Sequence, residues 1–130
     1  MAKDTILIAD DDRTIVTLVG EYLRKKGFHV IPAFDSMQAM MGIRQAAPKA
    51  VILDVNMPGG TGIDVIKKLK AMSKTSQIPV LVLTASDDPK HADEARALGA
   101  DEFLTKPVNL GLLHAALLRA LDRPAEPGVE

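Results

Sequence analysis

The sequence predicts an α/β domain in which five strands alternate with five helices, (βα)5, doubly wound around one open parallel sheet. Short runs rich in Val, Ile and Leu begin near residues 5, 28, 50, 79 and 101, as buried parallel strands do. A segment with the apolar spacing of a helix follows each run. The chain has 130 residues, the length of one domain, and five units are too few to close an eight-stranded barrel.

Each helix is predicted from an apolar stripe and from the residues that end it. Gly27 and Gly99 suit the positions just after the first and fourth helices, and Pro48 closes the second. The fourth helix has the thinnest stripe, is expected to start at Pro89 after Asp87-Asp88, and should pack weakly. In chain order, the stripes are Ile15, Leu18, Val19, Tyr22 and Leu23; Met37, Met40, Met41 and Ile43; Ile63, Ile66 and Leu69; Ala92, Ala95 and Leu98; and Leu110, Leu113, Leu117 and Leu121.

The order of the strands follows from how they end. Four runs end in polar residues, whereas the second ends near Pro32, which suits the edge of a sheet. The order 2-1-3-4-5 places that strand outside and the other four side by side. We expect one domain over residues 1–122, with residues 123–130, rich in proline and polar residues, as a flexible tail or the start of a linker.

Composition excludes several classes of function. The chain has no cysteine, so disulfides and thiolate metal sites are excluded, which fits a cytoplasmic protein. A net charge of −1 and only four aromatic residues give no reason to expect direct contact with nucleic acid. No apolar run approaches the length of a membrane span, and the first strand begins too early to leave room for a signal peptide.

Acidic residues follow two strands that should lie next to each other. Asp10 and Asp11 follow the first run, and Asp54 follows the third. Ligands of open parallel sheets bind beyond the carboxyl ends of the strands, so these carboxylates should share one crevice. Such a cluster repels itself unless a cation binds or some members protonate, and oxygen ligands favour Mg²⁺. A simpler alternative is that Asp12 caps the helix starting at Arg13 and that the other two are solvated.

Three more residues are candidates for the same crevice. Lys106, which precedes a proline after the fifth run, could neutralise the acids and pair with Asp54. Thr84 ends the fourth run and could offer a hydroxyl. The glycine-rich stretch 55–62 delays the next helix to near Gly62, so the Asp54 carboxylate stays free and the carbonyl of Asn56 can join a metal shell.

Four motifs resemble those of response-regulator receiver domains, the phospho-acceptor modules of two-component signalling. The resemblance covers nearly the whole chain and implies a flavodoxin-like fold. The motifs are Ile6-Leu7-Ile8-Ala9-Asp10-Asp11-Asp12, Leu53-Asp54-Val55-Asn56-Met57-Pro58, Leu83-Thr84-Ala85 and Lys106-Pro107.

The resemblance implies a phosphorylation site and a metal site. Asp54 would take a phosphoryl group from a phosphohistidine. Asp11, Asp54 and the backbone carbonyl of Asn56 would bind Mg²⁺, with Asp10 helping to hold it. The protein would then be a switch that catalyses its own phosphorylation and dephosphorylation, and not an enzyme with a separate substrate.

The resemblance also implies how the switch works. Lys106 and Thr84 would contact the phosphoryl oxygens, and Phe103 would be the switch aromatic, although it could equally be an ordinary core residue. The surface formed by the fourth helix, the fifth strand and the fifth helix would be remodelled. Small Ser86 should leave the site open to water.

The implied partners are proteins. A sensor histidine kinase or a phosphotransfer protein would donate the phosphoryl group, and an output domain or an effector protein would receive the signal. A second copy could pair through the remodelled surface, where Leu112 and Leu118 lie outside the apolar stripe of the last helix. Scattered surface leucines are also ordinary.

Two other functions are compatible with a similar topology. An Asp-nucleophile phosphatase or phosphotransferase of the haloacid-dehalogenase type would use Asp10 and Asp12, but the chain is too short for the usual cap domain. A flavin carrier would need a hydroxyl-rich phosphate loop and stacking aromatics, where this chain has acids. The three histidines (His29, His91 and His114) fall on different elements and predict no metal site.

Overall fold

A computed structural model describes residues 3–57, 62–85 and 89–122, except the side chains of Pro89 and His91. The predicted roles of residues 58–61, Ser86, Asp87 and Asp88, and of the tail 123–130, lie outside the described residues. The elements are β1 (Thr5–Ala9), α1 (Arg13–Lys25), β2 (His29–Ala33), α2 (Ser36–Ala46), β3 (Ala50–Asp54), α3 (Gly62–Ala71), β4 (Val80–Thr84), α4 (Pro89–Ala97), β5 (Glu102–Thr105) and α5 (Leu110–Leu121).

The strands form one parallel sheet in the order β2-β1-β3-β4-β5, as predicted. The register sets Asp54 beside Leu83 and Thr84 beside Thr105, so the carboxyl ends of β3, β4 and β5 lie almost level. Polar residues that follow these strands therefore arrive at one edge of the sheet.

The sheet separates two hydrophobic cores. Leu7, Val51 and Leu53 point to the side covered by α2, α3 and α4. Ile8 and Ile52, which alternate with them, point to the side covered by α1 and α5. Every residue of β3 and β4 is buried, as expected for central strands with helices on both faces.

Side-chain caps fix where three helices begin. Asp12 is the N-cap of α1 and accepts hydrogen bonds from the backbone N–H groups of Thr14 and Ile15, as predicted. Asp35 caps α2 and Asn109 caps α5 in the same way. Among the described helices, none combines the length and hydropathy that crossing a bilayer requires.

The predicted stripes of α1 and α2 were wrong at three positions. Leu18 is 48% exposed, Met37 72% and Met41 49%. The buried arc of α2 is centred on Ala39, Met40 and Ile43 because the helix lies so close to the sheet that a Cβ on Gly42 would come within 2.5 Å of the Leu7 side chain. This rotation turns two methionines of α2 outward. Leu112 and Leu118 of α5 are exposed, as predicted.

Candidate functional site

Three carboxylates meet at the carboxyl edge of the sheet. One oxygen each from Asp10, Asp11 and Asp54 lies within 4.8 Å of the other two. Asp10 is fully buried and Asp54 is 3% exposed, whereas Asp11 is exposed to solvent. The crevice predicted from the ends of β1 and β3 is therefore present, with its exposed member at the mouth.

Each buried carboxylate is held by its own loop. Oδ1 of Asp54 accepts a hydrogen bond from the backbone N–H of Asn56 at 3.0 Å. Oδ1 of Asp10 accepts one from the N–H of Asp12 at 2.9 Å. Because one oxygen of each group is fixed in this way, the other oxygen, Oδ2, has a defined direction into the crevice.

Lys106 brings a positive charge to both of those oxygens. Its Nζ lies 3.1 Å from Oδ2 of Asp54, to which it donates a hydrogen bond, and 2.8 Å from Oδ2 of Asp10. The predicted pairing with Asp54 is confirmed, while the pairing with Asp10 was not foreseen. The backbone N–H of Lys106 donates to the Thr84 carbonyl at 2.8 Å, and the peptide bond to Pro107 is cis.

The ionisation of the crevice reflects burial and pairing. Burial raises the pKa of Asp10 and outweighs the contact with Lys106 and the N–H of Asp12, which act in the opposite direction. Burial alone would lower the pKa of Lys106, but its contacts with Asp10 and Asp54 outweigh burial and raise it. The crevice thus brings three carboxyl groups to one lysine among the described residues.

The donor set fits a hard cation. Oδ2 of Asp10 is buried, and beyond the Lys106 ammonium 2.8 Å away it has no partner among the described residues. A buried oxygen with spare accepting capacity normally has a partner. Together with Asp11 and Asp54 it offers carboxylate oxygens only, the chemistry that suits Mg²⁺.

Thr84 lies at the crevice edge of the sheet, whereas Phe103 lies earlier in β5, paired with Val82. Thr84 is buried at the end of β4, one residue beyond the register partner of Asp54. Phe103 is partly buried against the core beneath α4, and the Arg96 guanidinium lies 4.3 Å from its ring centroid. Sequence reasoning did not find this cation–π contact, because a seven-residue separation across a turn carries no pairing signal.

Gly62 has a structural role that sequence reasoning missed. Its N–H donates to the Val55 carbonyl at 2.9 Å, and a Cβ would overlap the Asp54 carbonyl oxygen and come within 2.7 Å of the Val55 Cα. The sequence assigned this glycine only to the stretch that delays the start of α3. Its position at the start of α3, directly after a turn-rich stretch, is the signal that could have indicated a close approach.

We expect Gly62→Ala to lower the free energy of unfolding by about 2 kcal/mol, because backbone atoms must move to admit the methyl group. Urea denaturation measures this loss. Gly111→Ala is the matched control, since its Cβ would meet only the Asn109 side chain at 3.5 Å. The control should be neutral or slightly stabilising, as alanine favours a helix. Equal losses in the two variants would contradict the proposed close approach.

Comparison with known proteins indicates one family over most of the chain. The family model of the response regulator receiver domain matches residues 6–118. A cyclic di-GMP phosphodiesterase of Thermotoga maritima is 38% identical over 117 residues, covering 90% of this chain and 31% of that protein. The DNA-binding response regulator MtrA of Mycobacterium tuberculosis is 34% identical over 95% of this chain and 55% of its own length.

Solved structures agree with the fold. The chemotaxis response regulator CheY4 of Vibrio cholerae superposes with a TM-score of 0.85 at 32% identity, covering 92% of this chain and 99% of that one. The chain thus spans about half or less of the cyclic di-GMP phosphodiesterase and of MtrA but matches this solved domain almost end to end. This chain belongs to the family of response regulator receiver domains.

Proposed function

We propose that Asp54 accepts a phosphoryl group from the phosphohistidine of a sensor histidine kinase or phosphotransfer protein. The observation that carries this proposal is the geometry of the crevice. Asp54 is 3% exposed, shares its pocket with two further carboxylates, and has one oxygen 3.1 Å from Lys106. Phosphoryl transfer depends mainly on positioning and charge neutralisation, and these groups supply both.

Oδ2 of Asp54 is the attacking oxygen. The N–H of Asn56 holds Oδ1, which fixes the plane of the carboxylate. Oδ2 forms the new bond to phosphorus while the bond from phosphorus to the donor imidazole breaks. The imidazole nitrogen keeps the electron pair and takes a proton, and the product is an aspartyl phosphate. Lys106 then exchanges its contact with Oδ2 for the phosphoryl oxygens.

The acidic residues also constitute a magnesium site. Asp11, Asp54 and the backbone carbonyl of Asn56 would hold Mg²⁺, and Asp10 would support it directly or through water. When bound, the ion offsets negative charge on the phosphoryl oxygens. The exposed position of Asp11 leaves the mouth of the site open to the ion and to the donor.

Phosphorylation would change the surface built from α4, β5 and α5. The Thr84 hydroxyl moves to the new phosphoryl oxygens, and Phe103 rotates inward into the space that this opens. Phosphorylation thereby shifts a pre-existing equilibrium of the domain. An output domain, an effector protein or a second copy would read that surface, where Leu112 and Leu118 are exposed.

We place this activity in the cytoplasm. We place the boundary of the receiver domain near residue 122.

The competing phosphatase function has no support. The family match and the CheY4 superposition do not support the haloacid-dehalogenase alternative. A relative is named a phosphodiesterase, but the chain covers only 31% of that protein, so the name describes the longer protein.

Phosphorylation by acetyl phosphate tests the proposal. Incubation with Mg²⁺ and acetyl phosphate, followed by intact mass measurement, should add one phosphoryl group to the wild type and none to Asp54→Asn. Asp4→Asn is the control, because Asp4 is an exposed carboxylate before β1, at the opposite edge of the sheet. It should be labelled like the wild type. An adduct of equal yield on Asp54→Asn would overturn the assignment.

A further inference from the structure

A groove of about 480 Å³ runs between α2 and α3, on the sheet face opposite α1 and α5. Both helices follow strands of the same parallel sheet, so they run in the same direction, with their first turns at the phosphorylation edge. The volume is within the range of sites that bind small molecules or side chains of a partner. The proposed phosphorylation of Asp54 makes no use of this groove.

The first part of the groove is apolar and made of methionine. Met37 and Met41 of α2 are 72% and 49% exposed and line it, with the buried side chains of Met40 and Val65 as its floor. Methionine is flexible and polarisable, and it is over-used on surfaces that accept apolar side chains of varied shape. Two exposed methionines one turn apart on a helix form one continuous apolar strip.

The other end of the groove is basic. Arg44 of α2 and Lys67 and Lys68 of α3 line it, and all three are exposed. Arg44 follows Met37 by seven residues and Met41 by three, so it lies about 10 Å and about 4.5 Å beyond them along the helix. Asp64 lies in the first turn of α3, at the apolar end, and is the acidic member of the lining.

We propose that this groove docks an amphipathic acidic segment of a partner protein. Apolar side chains of the segment cover Met37 and Met41, and carboxylates one to two turns further along meet Arg44, Lys67 and Lys68. Helix-in-groove recognition combines apolar anchors with a charged margin in this way. Charge complementarity selects an acidic partner, since three cations outnumber one acid among the described residues that line the groove, in a chain whose net charge is −1.

Methyl NMR of the whole chain can detect the docking. The protein contains six methionines, so [¹³C]methyl labelling gives few and separable signals. The probe is a synthetic amphipathic peptide of about 14 residues, with leucine at helical spacing and glutamate on both flanks. It should shift the methyl signals of Met37 and Met41 in a saturable way. The signal of Met57, which is buried and is not among the residues that line the groove, is the internal control and should not move.

Charge reversal tests the basic end. Lys67→Glu/Lys68→Glu should weaken binding of the acidic peptide by about tenfold, from the summed loss of attraction and gain of repulsion. Lys25→Glu/Lys26→Glu is the matched control, because it reverses another adjacent lysine pair, at the end of α1 on the opposite face of the sheet. The control should leave affinity within about twofold of the wild type.

Loss of the apolar anchors tests the methionines. Met37→Gln/Met41→Gln should weaken binding about fivefold with little change in stability, because both side chains are already exposed. Leu18→Gln replaces an exposed apolar residue of α1 and should have no effect on binding. All titrations contain neither Mg²⁺ nor phosphodonor, so failure here leaves the phosphorylation of Asp54 untouched.

Three results would overturn the proposal. Equal binding of a peptide with lysine in place of each glutamate would remove the charge argument. Methyl shifts spread over Met57 and Met72 would show that the peptide does not select the groove. If dilution alone moved the Met37 and Met41 signals and sedimentation showed dimers, the occupant would be a second copy.

Discussion

Lys106→Met should lower the free energy of unfolding by about 3 kcal/mol at pH 7 without divalent cations. The ammonium lies within 3.1 Å of two buried carboxylate oxygens and is itself mostly buried. Methionine keeps the length of the side chain but leaves Asp10 and Asp54 facing each other without a counter-charge. Removing one partner of a buried ion pair costs more than the pair contributed, because an uncompensated charge remains.

Urea denaturation of the wild type and of Lys106→Met measures this difference. Lys68→Met is the control. It replaces an exposed lysine of α3 and should change the free energy of unfolding by less than about 0.5 kcal/mol. The loss should shrink as the pH falls, since Asp10 takes up a proton at a higher pH than an ordinary aspartate. At alkaline pH the raised pKa of Lys106 matters. The stabilisation of the folded state by the Lys106 ammonium is complete below pH 10.5 and is lost as the pH rises through the folded-state pKa. A loss that did not depend on pH would show that packing, and not charge, accounts for it.

Asp10→Asn should have opposite effects on stability in the absence and in the presence of Mg²⁺. The pKa of Asp10 in the folded state is raised above its ordinary value of 3.8. The protonated group therefore stabilises the fold fully below pH 3.8, and this stabilisation is lost as the pH rises through the folded-state pKa. At pH 7, which is above 3.8, this carboxyl group therefore lowers the stability of the folded state. Without divalent cations the variant should be more stable than the wild type by about 1 kcal/mol, the scale on which a neutral replacement of buried charged groups stabilises a protein.

Magnesium should reverse this order. An ion that binds the folded wild type stabilises it by about 2.7 kcal/mol at a hundred times its dissociation constant. Asp10→Asn has one carboxylate fewer and should gain much less. Thermal denaturation with and without MgCl₂ measures both effects, with Asp4→Asn as a charge-matched control that should follow the wild type. A variant less stable than the wild type at pH 7 without Mg²⁺ would contradict the cost assigned to Asp10.

The sequence was sufficient for the sheet and for most of the crevice. Strand ends at Asp54 and Thr84 could be read from short apolar runs, and parallel topology then requires the residues just beyond those ends to share one edge. The pairing of Lys106 with Asp54 could be inferred from charge alone. The contact with Asp10 could not, because the length and direction of a lysine side chain depend on how β5 ends.

The features that sequence reasoning missed depend on how helices sit on the sheet. Spacing placed Met37 and Met41 on a buried stripe, but the close packing of Gly42 against Leu7 sets the rotation of α2 and turns them outward. The same limitation applies to Gly62, where the close approach of a backbone decides which residue fits. The local periodicity of the sequence encodes neither the separation of α2 from the sheet nor the backbone approach at Gly62.

Lys106 connects the edge strand β5 to the carboxylates of the candidate site. β5 is an edge strand that pairs only with β4 in the sheet, yet the ammonium just beyond its tip reaches across β4 to groups at the ends of β3 and β1. Its contacts tie β5 to the ends of β3 and β1. When a phosphoryl group on Asp54 takes over this contact, β5 stays tied to the crevice, but through the bound group. The position of the edge strand then depends on what occupies the site.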